Sequence, residues 1–353
     1  RPAHSSRPAA CRWVVMVDAR SLHLLRRATY GPTPASITQI TRLGRTGWLE
    51  RQLAPAKIAD PVVDRLLTRF PQLNSSIPAI RAKYADQVGT WNVMVQLSQA
   101  TLARAIWSER QLFELMVEFW SNHLNVTNPS SDVWDNRAHY DRTVIRAHAL
   151  GSFDDLLVAA TQHPAMQRYL DNASSTKAQP NENHGRELME LHTLGLGAGY
   201  TETDVKNSAR ILTGLTVDDE TGTAVYEPKR HYVGPVKVLG FEHANASAAG
   251  GQAVAVAYLR WLARHPSTAA RSCESWRSAS SATTRRPRCW PRCGPPTWRT
   301  TRRSFRSCGS CSTPRNFRAQ PTRRSGARTR TWWPPCGCWS ASRTPRAPPA
   351  SRP

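Results

Sequence analysis

Cysteine is almost missing from most of this chain. Of the eight cysteines in 353 residues, only Cys11 precedes residue 271, so no disulfide framework organises the body. Long apolar runs are missing too: none reaches the roughly 18 residues that a membrane-spanning helix needs. The opening RPAHSSRPAACRWVVMVDAR places basic residues before an apolar patch too short for the apolar core of a signal peptide. The expectation is therefore no membrane span and a cytoplasmic location, with residues 1–20 a disordered or spurious extension. There is no P-loop, dinucleotide fingerprint, nucleophile elbow or HExxH zinc helix, and no internal repeat. Gly195-x-Gly-x-Gly follows a helical pattern rather than a strand and reads as a turn, not a phosphate cradle.

The last 83 residues lack something more basic. Residues 271–353 contain no Leu, Ile, Val or Met, no Lys and no Asp, but 19 Arg, 12 Pro, seven Cys and six Trp. Such a segment cannot build an ordinary core. It also carries most of the formal charge of +23: with Glu274 as its only acid it contributes +18, leaving +5 for residues 1–270. An Arg-rich arm with aromatic residues is one way to bind nucleic acid. The genetic code offers another account. Shifting the frame so that each codon begins with the last base of the preceding one turns every Trp and Cys into Leu, Val or Met. Within groups, those positions then recur largely at helical spacing, three or four residues apart. The tail 271–353 thus reads as out-of-frame translation, which removes both its redox and its nucleic-acid message. No nucleic-acid binding is expected of the body.

What is present in residues 21–270 is a succession of amphipathic helices with firm stops. Leu22, Leu25 and Ala28 share a stripe that ends at Gly31-Pro32-Thr33-Pro34. Ile37, Ile40 and Leu43 form the next, closed by Gly44. Trp48 to Leu53 follows, and Pro61 opens another. Trp91–Trp120 is a long helical region broken near Ser108. Leu112, Met116, Phe119 and His123 fall on one stripe of its second half. Helices at Tyr140–Leu150 and Phe153–Ala160, the latter opened by Ser152, precede a short one through Met166 and Leu170. Thr223–Tyr226 and Val236–Leu239 are β-prone runs either side of a turn, predicting one small hairpin. A helix over Ala253–Ala263 closes the body.

The densest set of ionisable groups lies in Asn181–Gly214. Leu188, Leu191 and Leu194 predict a helix over about Glu182–Leu194, ended by the following glycines. Thr201 and Asp204 look like a capping pair that opens the next helix. At 100° per residue Glu187 and Glu190 share a face, with His184 flanking it.

These residues carry a family resemblance. NENHGRELMELHTLG, GYTETDV and ARILTG, together with LLRRATYGPTP, GWLERQLAP, FWSNHLNV, YDRTVIRAHALGSFDDLL and HPAMQRYLDN, occur in order over about residues 22–270. The set resembles the bacterial domain of unknown function 1800 family. The resemblance implies a mainly α fold, here a multi-helix orthogonal bundle with one small β-hairpin, and a domain over 21–270. It implies no mechanism. Family pattern admits Phe at position 192 and an aromatic at 184, which leaves Glu187, Glu190 and Asn183 ahead of the two histidines, with Glu182 next.

Carboxylates and imidazoles on facing helices are the donors that helical bundles use for metal sites. Glu187, Glu190 and His123 are accordingly the candidate catalytic or ligating set, for a divalent metal ion in a hydrolase or oxidoreductase. Asn122, Glu182, Asn183, Arg186, Asp204 and Arg210 complete a candidate binding or structural network. The alternative is a non-catalytic helical scaffold, or a protein that binds a partner protein, with Arg186 and Arg210 neutralising the acids in a buried ion-pair network.

Overall fold

The computed structural model describes residues 17–85 and 89–280. Among these described residues thirteen α-helices run in the order α1 Ala19–Ala28, α2 Pro34–Gln52, α3 Pro61–Leu67, α4 Ile77–Lys83, α5 Trp91–Trp107, α6 Gln111–His123 and α7 Arg137–Tyr140, then α8 Phe153–Gln162, α9 Pro164–Tyr169, α10 Glu182–Glu187, α11 Glu202–Leu212, α12 Gly251–Arg264 and α13 Pro266–Ser280. Most stops fall where the sequence places them. Ser108 separates α5 from α6, and Ser152 caps α8 by accepting from the Asp155 amide. Gly44 closes the first part of α2 as expected: its backbone (φ 69°, ψ 167°) is not helical, so Pro34–Gln52 consists of two helical pieces that meet there at a kink. Thr201 and Asp204 form the reciprocal capping box of α11.

Two helices continue as π-helix: α7 through Asp141–Arg146 and α10 through Leu188–His192. A π turn bonds i to i+5 and is wider than an α turn. The 100° spacing used for Glu187 and Glu190 is that of an α-helix, and from Leu188 on the turn is the wider one.

The main core gathers Leu25, Ile40, Trp48, Leu112, Met116, Tyr140, Leu156, Met189, Ile211, Tyr258 and their neighbours from α1, α2, α6, α8, α11 and α12. Fully burying one such side chain contributes about 1.5–3 kcal/mol. A second apolar cluster, with Leu73, Ile80, Tyr84, Val93, Leu97, Ala100 and Ala138, joins α4 to the inner face of α5. The architecture is mainly α, as expected.

The β-structure comprises β1 Leu215–Val217, β2 Ala224–Tyr226, β3 Val236–Val238 and β4 Phe241–His243. The β-prone runs at 223–226 and 236–239 do form strands, but not with each other. β1 pairs antiparallel with β2, and β3 with β4. The β3–β4 turn is the tight two-residue kind, with positive φ at Leu239 (45°) and Gly240 (92°). Local turns thus supply each strand with a nearer partner than the long EPKRHYVGP connection does.

At the N-terminal side Asp18 accepts from the amides of Arg20 and Ser21 and caps α1, so helix begins within the expected extension 1–20. Residues 1–16 lie outside the described residues. Likewise α13 runs to Ser280, ten residues into the expected tail, with Ser272 buried and Trp276 edge-on to Phe119 at 5.1 Å. The rest of the tail, and with it the out-of-frame and nucleic-acid readings, lies outside the described residues. No helix among those described is long and apolar enough to cross a membrane.

Candidate functional site

Asn181 starts the central region by capping α10, its Oδ1 accepting from the His184 amide at 3.2 Å. The next residue after His184 is Gly185, and it has no room for a side chain. A Cβ there would lie 2.8 Å from the Ala209 nitrogen and 3.0 Å from the Val205 oxygen, so α10 and α11 touch backbone to backbone. His184 itself is completely buried, and both of its ring nitrogens are without a hydrogen bond. Burial pushes His184 down to about 4, so the ring is neutral at pH 7.

Two more imidazoles lie close by. Burial lowers His192 to about 3, helped by the neighbouring His184, His123 and Arg271. His123 is lowered to about 4, again chiefly by burial. Its Nε2 lies 2.9 Å from the His192 carbonyl oxygen, which can only accept, so Nε2 carries the proton. Phe119, Trp120 and Phe153 pack around that ring at centroid distances of 6.0, 5.7 and 6.0 Å. From α13, Arg271 donates to the Leu191 carbonyl, on the π turn.

The acidic residues of this region do not converge on those rings. Arg186 pairs bidentately with Glu202, at 3.0 and 2.6 Å, and lies 3.9 Å from Glu190. The Tyr200 phenol is raised to about 12 by burial and then by the neighbouring Glu190 carboxylate. Glu187 is half-buried and its carboxylate has no hydrogen bond or ion pair among the described residues. Asp204 is occupied by the cap of α11 and by the Leu239 amide at 3.1 Å. Arg210 donates to Asn207 at 3.0 Å and lies 4.8 Å over the Tyr232 ring. Asn122, Glu182 and Asn183 are exposed. Among the described residues no group of three or more His, Cys, Asp or Glu side chains is placed to hold a metal ion.

Buried charge is concentrated elsewhere. Asp135, fully buried, accepts from Arg81 of α4 at 2.6 Å and from Arg168 of α9 at 3.1 Å. Arg81 also reaches the Asp219 and Glu220 carbonyls at 2.6 and 3.2 Å, tying down the β1–β2 turn. Gly222 in that turn has φ of 71°, and a Cβ there would lie 2.9 Å from the Asp135 carboxylate. Arg146 holds Glu114 bidentately at 2.8 and 2.7 Å. Burial alone would lower the Arg146 pKa, but the Glu114 hydrogen bonds and charge outweigh it and hold it above its ordinary value. Arg264 of α12 reaches Asp154 of α8 at 2.6 Å, pinning that helix pair.

A histidine pair also escaped the sequence reading. His163 Nδ1 accepts from the Ala165 amide at 3.1 Å, so the neutral ring carries its proton on Nε2. That proton is donated to His139 Nδ1 at 3.0 Å. No local spacing signals this pair or the Asp135 cluster, whose partners lie 24 to 54 residues apart. The only hint was the HP dipeptide at 163–164, where His163 caps α9 before a proline.

No curated protein and no solved structure matches the chain. A family model does, that of a protein of unknown function (DUF1800), over residues 23–275. That span takes in every described helix from α2 to α12, including the α10–α11 contact and the Asp135 cluster, and the chain belongs to the DUF1800 family.

Proposed function

We propose that the body is a non-catalytic helical scaffold, or partner-binding protein, whose polar groups hold its helices in register. The observation that carries this reading is the state of His123. Its Nε2 proton is committed to the His192 carbonyl and three aromatic rings pack around it, a structural use of the imidazole that leaves only Nδ1 to meet a ligand. The same holds for Asp204 as a cap and for Arg186 and Arg210, each engaged by a neighbour of its own.

One observation favours a second reading, a metal-assisted hydrolase or oxidoreductase. His184 is fully buried with two unpartnered nitrogens, and the Glu187 carboxylate has no partner among the described residues. In that reading Glu187, Glu190 and an imidazole hold a divalent ion, which supplies a Lewis acid. Metal analysis of the purified full-length chain separates the two. A scaffold retains no stoichiometric divalent ion, and its melting temperature is unmoved by added divalent ions. An ion retained stoichiometrically and lost in Glu187→Gln replaces the scaffold with the metal-assisted reading.

A further inference from the structure

Helix α5 turns an apolar stripe towards solvent. Trp91, Val95, Leu102 and Ile106 are 54, 46, 61 and 53 % exposed. At 100° per residue they fall within an arc of about 60°. The stripe is not the inner face of the helix, which is Val93, Met94, Leu97, Ala100 and Ala103. Over its 17 residues α5 carries one charged side chain, Arg104, which is half-buried rather than on the stripe. A solvated helix face would carry several.

The order of residues along the stripe has a symmetry. Trp91 and Ile106 lie equally far from the midpoint between Ser98 and Gln99, and so do Val95 and Leu102. An antiparallel copy of α5 placed on a two-fold axis at that midpoint therefore sets Trp91 against Ile106 and Val95 against Leu102, twice over. This is the self-complementarity that a two-fold interface requires. The axis passes beside Ser98, a small exposed residue that lets two helices approach. No like charges face each other on the stripe, and it offers no cation or anion to recognise a charged partner.

Four half-exposed large side chains amount to on the order of 400 Å² per copy, or ~800 Å² for the pair. Exposed Asn92, Gln99 and Thr101 at the rim bring the total towards the lower bound of specific interfaces, about 1,200 Å². We propose that the α5 stripe is a self-association surface, joining two copies of this chain antiparallel in a reversible dimer. The proposal goes beyond the scaffold reading and stands or falls separately from it, since no residue of the stripe belongs to the candidate site.

The test is sedimentation of the full-length chain over a concentration series at about 0.15 M salt, where long-range repulsion is screened. The wild type is expected to pass from monomer to dimer. Val95→Lys and Leu102→Glu, both at exposed positions, are each expected to raise the dissociation constant about tenfold or more by burying an unpaired charge. Combined in one chain, the two changes set the introduced ammonium of each copy against the introduced carboxylate of the other, on both sides of the axis. The double variant should restore the wild-type constant to within about threefold. A wild type that stays monomeric overturns the proposal and leaves the stripe to another segment of the chain or to another protein. A dimer indifferent to both single changes overturns it as well. Single changes that break the dimer without rescue by the pair overturn the antiparallel two-fold arrangement.

Discussion

Around Asp135 and around Glu187 the same chemical groups meet opposite conditions. Asp135 is fully buried, and two guanidinium groups from α4 and α9 converge on it. Glu187 is half-buried on α10, where the neighbouring Arg186 turns outward to Glu202 and the buried polar groups are imidazoles instead. A carboxylate out of water must be paired, because an isolated buried charge costs several kcal/mol. A half-exposed one keeps part of its hydration and needs no partner. Charge density along the sequence points to α10, yet the electrostatic demands of burial are met around Asp135, by arginines drawn from distant helices.

The sharpest way to expose the contrast is Asp135→Asn. It strands Arg81 and Arg168 and should cost about 3–5 kcal/mol in urea-induced unfolding. A loss under about 1 kcal/mol would mean that water reaches both cations and that Asp135 is not the centre of a buried network.

On the α10 side, the largest effect belongs to packing rather than charge. Gly185→Val forces α10 off the α11 backbone and should cost about 1–3 kcal/mol, the usual range for an overpacked site. Thermal unfolding at neutral pH measures it. A neutral outcome would show that the two helices can separate freely.

Acid should separate the regions further. His123, His184 and His192 have folded pKa values of about 4, 4 and 3, below the ordinary 6.5. The unfolded chain then binds protons more readily than the folded one. Stability is intact above about pH 6.5 and falls as pH drops towards 4, on the order of 2 kcal/mol per buried histidine by pH 5. His184→Phe should remove its own share of that slope, on the order of 2 kcal/mol, a change read from unfolding free energies between pH 7 and 5. Identical slopes in the two proteins would mean that His184 is hydrated.

Glu187→Gln should do least, within about 0.5 kcal/mol, because no cation is left unpaired. A loss near 3 kcal/mol would reveal a partner that the described residues do not supply.

Much of the fold was legible because helix ends are written locally. Thr201 with Asp204, Ser152 before Phe153, Pro61 and Ser108 each act within a turn of their own position, and each stop falls there in the structure. The π turns of α7 and α10 were not legible, since an extra residue in a turn answers to packing against other helices. The Asp135 cluster was hidden for a related reason. Arg81, Asp135 and Arg168 are far apart in sequence, and only the folded chain brings them together. Gly185 stood in plain view beside His184, but a glycine inside a helix reads as a weak helix former unless the neighbouring backbone is known.

The Arg81 latch bears on the order in which the molecule folds. Its bonds to Asp219 and Glu220 close a loop of 138 to 139 residues, whereas α10 and α11 are neighbours in sequence. Long loops lose more chain entropy before they gain a contact, so the α10–α11 pair can form early and the latch closes late. Interactions absent from the transition state act on the unfolding rate alone. Stopped-flow chevrons of Arg81→Lys should therefore show faster unfolding with refolding unchanged, which makes this one guanidinium a determinant of how long the folded molecule lasts rather than of how quickly it is made.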